Sequence, residues 1–303
     1  MNRLVAYIGN DPERLACALY PARSALQVFD GNPVPSRDGA RRAKLDDFPV
    51  DSLASGPTAD WGLGFVQSGD VLLQKRLRSH TAQVDFFHLA RDLRADAFLG
   101  RATQGEEDRA HAANADLFRF RYWLFGAIGQ FGDFSQIRSH LLNSIPDFLR
   151  RNIRGHSPSE HLFHLFLSFL HDAGLLETLS PQPEPARRAL TESVAFVDRL
   201  LAASGAASTK LAMVATNGRC LVALSREHPL QYLEIHGISA CQLCQDKLPE
   251  EKRDRAIAHS LLRAVIVEAA DHPVSLRSGW HRVLDDGALS VGPHASVQIE
   301  TAR

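Results

Sequence analysis

The spacing of apolar and polar residues changes several times along the chain, and its first segment is typical of a strand. RLVAYIG (3–9) is a run of β-forming residues that ends at a glycine, so it predicts a strand that starts almost at the first residue. Asp11-Pro12-Glu13 then predicts a helix start, because Asp is a good N-cap and Pro suits the first turn. This helix is expected to extend to about Tyr20.

Strands are predicted on both sides of a helical middle region. Two strands within 61–78 are expected around the turn at Ser68-Gly69-Asp70, and a hairpin is expected around Asn217-Gly218. Further strands are predicted at 97–103, 121–128, 230–235, 264–268 and 288–300, and helices at 84–94, 135–149, 159–173 and 191–203. Because the order is strands, helices, strands without βαβ alternation, the fold class is predicted as α+β with mainly antiparallel sheets covered by helices.

The chain is predicted to form a single domain over 1–303. Three segments interrupt the regular pattern: a long loop at 30–59, a Pro-rich connector at 180–190 and a possible insertion at 236–260. A chain of this length buries a large core without disulfide or metal support.

Composition narrows the classes of function. With 34 Lys+Arg against 35 Asp+Glu, the net charge of −1 argues against nucleic-acid binding through a basic surface. The longest apolar stretches, such as Leu162–Leu170, are about half as long as a membrane-spanning helix. The N-terminus lacks a signal-peptide pattern and there are only 4 cysteines, so we expect a cytoplasmic protein without a membrane anchor or a disulfide scaffold.

Six segments stand out in order along the chain: MNRLVAYIG, ADWGLGFV (59–66), LGRAT (99–103), NADLF (114–118), WLFGAIGQF (123–131) and GHSPSE (155–160). They resemble motifs of the class II glutamine amidotransferases of the compact bacterial type, which are N-terminal-nucleophile hydrolases. That family opens with Met-Cys-Arg-Leu and carries, among others, an Asn-x-His-Pro-Phe motif, a strand ending in His-Asn-Gly and a Gly-x-Thr-Asp-Ser-Glu motif. The resemblance implies a four-layer αββα sandwich of two mainly antiparallel sheets between helical layers.

The resemblance also implies a catalytic cysteine, which this chain lacks. In the family that cysteine becomes the first residue and attacks the glutamine carboxamide, while its own α-amine acts as base. Asn2 stands at that position, and an amide side chain cannot form the thioester. Asn is also too large for efficient removal of Met1, so the α-amine is expected to stay one residue away.

Other functional positions of the family are changed as well. Ile128 and Gly129 occupy the oxyanion-hole positions, and Ile128 has no side-chain donor. Pro158 stands where the family has the aspartate for the substrate ammonium, and Asp116 replaces the histidine of Asn-x-His-Pro-Phe. Substitutions at several independent positions indicate a degenerate active site with no catalytic residue that we can name.

Arg101, Asn114 and Ser159 keep the family's residue type. The resemblance implies that Arg101 binds the glutamine carboxylate, for which its planar fork is suited. Two interpretations stay open: a salt bridge within the fold, to Glu106, Asp116 or Glu160, or a retained site for a small carboxylate ligand. The first is favoured, because a carboxylate clamp without its ammonium partner binds amino acids poorly.

These losses predict a protein that has lost glutaminase activity and acts as a binding, regulatory or scaffold protein, with a protein partner or a second copy of itself. The alternative is an active amidohydrolase or amidotransferase subunit that uses another nucleophile or a catalytic partner. No cofactor is expected.

Two groups of side chains leave metal binding open. Cys241-x2-Cys244 with His236 resembles half of a zinc site, and His259 is a further candidate, but two reduced cysteines without metal are favoured because no second pair exists. The other group comprises His161, His164 and His171, which share one side of a predicted helix. These histidines are expected to border an apolar stripe rather than to bind metal.

Overall fold

The computed structural model describes residues 2–20, 59–76, 93–104, 117–239, 241–244, 256–271 and 279–301. The strands in these ranges are β1 Asn2–Gly9, β2 Ala59–Gln67, β3 Asp70–Arg76, β4 Ala97–Gln104, β5 Leu117–Phe120, β6 Trp123–Gln130, β7 Lys210–Thr216, β8 Leu221–Arg226, β9 Leu230–His236, β10 Arg263–Ala270, β11 Trp280–Arg282, β12 Gly287–Val291 and β13 Val297–Thr301. The helices are α1 Leu15–Leu19, α2 Phe134–Ser144, α3 Asp147–Arg150, α4 Pro158–Asp172 and α5 Pro183–Ala203.

The strands form two sheets in which every pair of neighbouring strands is antiparallel. Sheet A has the order β11-β9-β10-β1-β4-β2-β3, and sheet B has the order β13-β12-β8-β7-β6-β5. β1 lies inside sheet A, where Leu4 pairs with Ala269 of β10 on one side and with Arg101 of β4 on the other. The N-terminal strand is therefore held by backbone hydrogen bonds along both edges, and the predicted antiparallel α+β class is confirmed.

Alternation along the strands divides the buried residues into three apolar layers. The central core lies between the sheets and includes Leu4, Leu99, Leu124, Val214 and Val267. A second core lies between sheet B and helices α2–α5, and includes Trp123, Phe163, Phe166, Leu190 and Met213. A third lies on the opposite face of sheet A against α1, and includes Val5, Tyr7, Leu15, Phe98 and Ile266. The layers are helix, sheet, sheet, helix, which is the αββα sandwich that the motifs implied.

Side-chain hydrogen bonds stabilise two turns that the sequence predicts. The side chain of Asp11 accepts a hydrogen bond from the backbone N–H of Glu13 and starts the 3-10 turn Pro12–Arg14, which leads into α1. In the β7–β8 turn, the side chain of Asn217 accepts hydrogen bonds from the N–H groups of Arg219 and Cys220. Both predicted turns are confirmed.

The strand predicted at 121–128 is observed as β6, and it forms a hairpin with β5, which the sequence did not predict. The chain reverses at Arg121, which adopts a positive φ of 50°. Phe118 then pairs with Phe125 across β5 and β6, and Phe120 pairs with Trp123. Because the turn contains no Gly, Asn or Pro, its sequence carries no turn signal and the alternation continues through it.

Three further segments differ from their predictions. The helix predicted over 135–149 is two helices, α2 and α3, separated at Pro146, which cannot donate to a helical hydrogen bond. Helix α5 begins at Pro183, so most of the segment 180–190 is helix and not a connector; prolines at the first turn of a helix are tolerated. The strand predicted at 288–300 is the hairpin β12–β13. Most of the predicted loop 30–59 and helix 84–94 lies outside the described residues.

Candidate functional site

Strand β1 presents the side chain of Asn2 to the space between the sheets. Leu4, Ala6 and Ile8 belong to the central core, whereas Val5 and Tyr7 face α1. Because side chains alternate along a strand, position 2 lies on the central face with the even-numbered residues. Asn2 therefore occupies the place that the resemblance implies for the nucleophile.

Asn2 is anchored by Asp271, which follows the end of β10. Its backbone N–H donates to Oδ2 of Asp271 at 2.9 Å, and the N–H of Asp271 donates to the carbonyl oxygen of Asn2 at 3.2 Å. Nε2 of His228, a buried residue between β8 and β9, lies 3.5 Å from Oδ1 of the same carboxylate. Burial raises the pKa of Asp271, but hydrogen bonds from His228 and from the backbone of Asn2 outweigh burial and lower the pKa.

His228 also contacts the position of the oxyanion hole. Gly129, near the end of β6, has a φ of +115°, and a Cβ there would lie 3.0 Å from Cδ2 of His228 and 2.3 Å from the carbonyl oxygen of Lys210. The structure thus groups Asn2, Asp271, His228 and Gly129. The sequence identified Asn2 and Gly129, but it carried no signal for His228 or Asp271, which belong to no motif.

Ile128 faces the central core and is only 1% exposed. In the β6–β7 pairing it lies opposite Ala212, which belongs to the same core. An aliphatic side chain packed among apolar neighbours cannot donate a hydrogen bond to a developing oxyanion. The predicted loss of this donor is therefore consistent with the packing.

Arg101 lies on the central face of β4, partly buried, directly opposite Leu4 on one side and Gly62 on the other. The side chain of Leu117 packs over Gly62. A Cβ added at position 62 would lie 3.2 Å from Cδ1 of Leu117. Arg101 and Asn2 thus project from neighbouring strands into the same space. Asn114 and Asp116, and the possible partner Glu106, lie outside the described residues.

The segment of Pro158 and Ser159 opens α4. Pro158 is the first helical residue, and Ser159 is buried behind it. Glu160 accepts hydrogen bonds from the backbone N–H groups of Arg154 (2.9 Å) and Gly155 (2.7 Å). This buried carboxylate therefore holds the loop before α4, which is a structural use for Glu160.

Two of the three clustered histidines are structural. Nδ1 of His161 lies 2.8 Å from the carbonyl oxygen of Ser157, and Nδ1 of His164 lies 2.8 Å from that of Glu160. Burial lowers the pKa of both imidazoles. His171 is exposed and lies beside Asp172. The apolar-border interpretation fits this arrangement.

The structure brings Cys17 and His259 to the Cys241–Cys244 pair. The four ligand atoms of these residues all lie within 4.8 Å of one another. His236 is not part of the group, because its side chain is 61% exposed and lies 3.3 Å from Glu234. No motif in the sequence links Cys17 to this pair, because the contact arises only in the folded chain, where α1 lies beside the turn after β9.

No helix among the described residues is long and apolar enough to cross a membrane.

Comparisons with known proteins identify the fold. No protein-family model matches the chain, and no curated protein matches its sequence. A solved structure described as a glutamine aminotransferase class-II domain protein from Silicibacter pomeroyi is similar, with a TM-score of 0.55, 16% identity and 99% of each chain covered. A predicted glutamine amidotransferase from Pseudomonas aeruginosa has a TM-score of 0.49, 13% identity and 99% of this chain and 96% of that chain covered.

A third solved structure is larger than this chain. It is described as the allosteric regulatory enzyme of purine biosynthesis, and the match covers 99% of this chain but 49% of that one, with a TM-score of 0.53 and 10% identity. At such identities the similarity establishes the fold and not the activity. This chain has the four-layer αββα fold of class II glutamine amidotransferases, which is the N-terminal-nucleophile hydrolase fold.

Proposed function

We propose that this chain is a class II glutamine amidotransferase-like protein that has lost glutaminase activity and acts by binding, as a regulatory or scaffold protein. The observation that supports this proposal is the joint replacement of two catalytic groups that project from the two sheets into the central space. Asn2 stands at the nucleophile position, and the buried Ile128 stands at the oxyanion position.

Each replacement removes a different part of the reaction. The carboxamide of Asn2 has no ionisable nucleophile, and its backbone nitrogen, joined to Met1, is an amide that donates to Asp271 instead of acting as a base. Loss of one oxyanion donor lowers kcat by about 10²–10³-fold in enzymes that keep their nucleophile. A chain that lacks both groups has no covalent route to glutamine hydrolysis through this site.

An active enzyme with another mechanism is the second candidate, and the group around His228 favours it. The imidazole lies beside the Asp271 carboxylate, next to Gly129. A histidine held by a carboxylate can act as a general base for water or for a partner's nucleophile. This candidate predicts an activity that depends on His228.

A glutaminase assay separates the two. Purified protein is incubated with glutamine, and glutamate is measured against a heat-inactivated sample. We expect no difference for the protein or for His228→Gln. Turnover that His228→Gln abolishes would establish the second candidate. Turnover that His228→Gln leaves unchanged and that persists through further purification would still overturn the loss of activity and would indicate another nucleophile.

For the binding role, we propose a protein partner or a second copy of this chain, in the cytoplasm. Light scattering during size-exclusion chromatography at several protein concentrations tests for the second copy. If the mass stays that of one chain at every concentration, self-association is excluded and a different protein remains as the proposed partner. Affinity purification and mass spectrometry would then identify that protein.

The possible small ligand is tested at Arg101. Our proposal is that this guanidinium pairs with an acidic side chain of the protein, Asp116 or Glu106. Arg101→Ala should then lower the melting temperature, and calorimetric titration with glutamate or glutamine should detect no binding to either the protein or the variant. Binding that is lost in Arg101→Ala would instead support a retained carboxylate site.

A further inference from the structure

The strongest unassigned feature outside the central space is a group of sulfur and imidazole ligands near the face of sheet A that packs against α1. The group joins three parts of the chain: helix α1, the 3-10 turn Gln242–Cys244 and the helical segment 256–261 before β10. We propose that it is a structural zinc site with four protein ligands: Cys17, Cys241, Cys244 and His259.

The distances within the group fit a tetrahedral ion. Sγ of Cys17 lies 3.8 Å from Sγ of Cys244, which in turn lies 3.8 Å from Nε2 of His259. Zinc–sulfur bonds of about 2.3 Å at tetrahedral angles place neighbouring sulfur ligands about 3.8 Å apart. The separation between Cys17 and Cys244 matches that spacing, and all other pairs of ligand atoms in the group lie within 4.8 Å.

Local backbone structure directs the two cysteines of the pair to the same side. The N–H of Cys244 donates to the carbonyl oxygen of Cys241 at 3.2 Å, which closes a tight turn. A Cys-x2-Cys turn of this kind is the usual half of a structural zinc site.

Backbone hydrogen bonds at the base of the segment between β9 and β10 hold His259 beside that turn. The N–H of Ile238 donates to the carbonyl oxygen of His259 at 2.9 Å, and the N–H of Gly237 donates to that of Leu262 at 2.8 Å. The two arms of the segment from β9 to β10 are therefore joined where they leave the sheet. The histidine is consequently fixed relative to the cysteine pair.

Burial and ligand type favour zinc over exposed, weakly held ions. Cys17 is 7% exposed and His259 is 3% exposed, and Leu243 packs partly buried against the core under α1. Three sulfurs with one imidazole select a soft ion, and zinc in a Cys₃His set is normally tetrahedral. Four protein ligands leave no open position, so the site would support the structure and would not activate water.

A zinc ion at this site would connect two segments that are distant in sequence but adjacent to neighbouring strands of sheet A. It would tie α1, which follows β1, to the segment that leads into β10, the neighbour of β1 in sheet A. The thiols must lose their protons to bind, so each Cys ligand releases one proton to solvent as the ion enters. The proposal is independent of the loss of glutaminase activity.

Metal content is the first test. The protein is expressed with added zinc, purified without chelators, and its zinc is measured by inductively coupled plasma mass spectrometry. We expect about one zinc per chain, as four ligands bind a single ion, and we expect Cys244→Ser to lose it. His236→Ala is the matched control, because His236 lies in the same part of the chain but outside the group; it should keep its zinc.

Cobalt binding keeps the proposal testable if Cys244→Ser does not fold. The metal is removed from the unaltered protein by chelation under reducing conditions, and Co²⁺ is added. We expect the visible bands of tetrahedral Co²⁺ with thiolate charge-transfer absorption, and zinc should displace them. Three results would each overturn the proposal. Reduced protein could bind no zinc after incubation with Zn²⁺, or the cobalt spectrum could lack thiolate bands. The third is a Cys241–Cys244 disulfide in protein purified anaerobically.

Discussion

The backbone nitrogen of Asn2 lies 2.9 Å from Oδ2 of Asp271, so the residue at the nucleophile position is hydrogen-bonded to the chain just after β10. The return bond, from the N–H of Asp271 to the carbonyl oxygen of Asn2, closes a ring of two hydrogen bonds at the end of the β1–β10 pair. The carboxylate thus stabilises the start of β1 while the side chain of Asn2 supplies no nucleophile.

Replacing Asp271 by Asn should destabilise the protein at neutral pH by about 1–3 kcal/mol, the range for loss of a charge-assisted hydrogen bond. The folded pKa of Asp271 is lowered, so its contribution is present above the unfolded pKa of about 3.9 and is lost as the pH falls through the folded value. Urea unfolding across pH 3–7 should therefore give curves for the protein and Asp271→Asn that converge in acid. Asp285→Asn, at an exposed site, is the control, and an equal effect there would contradict the prediction.

The next residue of β1 forms a buried ion pair whose loss should be costly. Nη1 of Arg3 lies 2.8 Å from Oε1 of Glu268, with side chains 2% and 0% exposed, and Gln231 donates to the other carboxylate oxygen. Arg3→Met leaves the Glu268 carboxylate buried without its guanidinium partner, which should lower the free energy of unfolding by about 3–5 kcal/mol. Adding Glu268→Gln removes the charge but keeps an acceptor for Gln231, so the double variant should regain much of the loss in a urea titration. A double variant less stable than Arg3→Met would argue against the ion pair as the cause.

Gly129 should tolerate no side chain. Gly129 and Gly205 both have a positive φ, of 115° and 75°, but a Cβ at 129 would lie 2.3 Å from a backbone oxygen, whereas one at 205 would meet nothing within 4 Å. Gly205→Ala should lower the free energy of unfolding by about 1–2 kcal/mol, the cost of the left-handed backbone alone. Gly129→Ala should cost more than about 3 kcal/mol, because the β6–β7 pair must also shift. Thermal and urea unfolding of the two variants check this, and equal losses would exclude the steric explanation.

Stability should fall in mild acid because of the two buried histidines of α4. Burial lowers the folded pKa of His161 and His164, so below the unfolded pKa of about 6.5 the unfolded chain binds more protons than the folded one. The stabilisation is full above that pH and decreases as the pH falls towards the folded pKa. His164→Phe should reduce the loss of unfolding free energy between pH 7.5 and 5.5. His171→Gln, at the exposed end of the same helix, should leave the loss unchanged, and a reversed order of the two variants would contradict this origin.

Features that depend on neighbours along the chain were predictable from the sequence. The β-forming run before Gly9, the Asp11 cap and the Asn217-Gly218 turn are local choices of backbone conformation, and the structure confirms each. The resemblance of the ordered motifs to those of class II glutamine amidotransferases implied the αββα fold, and the two sheets with their helical layers confirm it. The loss of the hydrogen-bond donor at the oxyanion position was also predictable, since the side chain of Ile128 has no donor in any conformation.

The contacts between residues of distant strands arise only from the tertiary fold. His228 and Asp271 reach Asn2, and Cys17 reaches Cys244, through strand pairings that join positions more than 200 residues apart in sequence. Local pattern carries no information about such contacts, because sheet register is set by the burial of whole strands and by the turns between them. The hairpin at Arg121 shows the same limit at short range: packing of Phe118 against Phe125 and Phe163 outweighs the weak turn preference of its sequence. Contacts between distant residues depend on the free energy of the whole packed core, which no single segment of the chain contains.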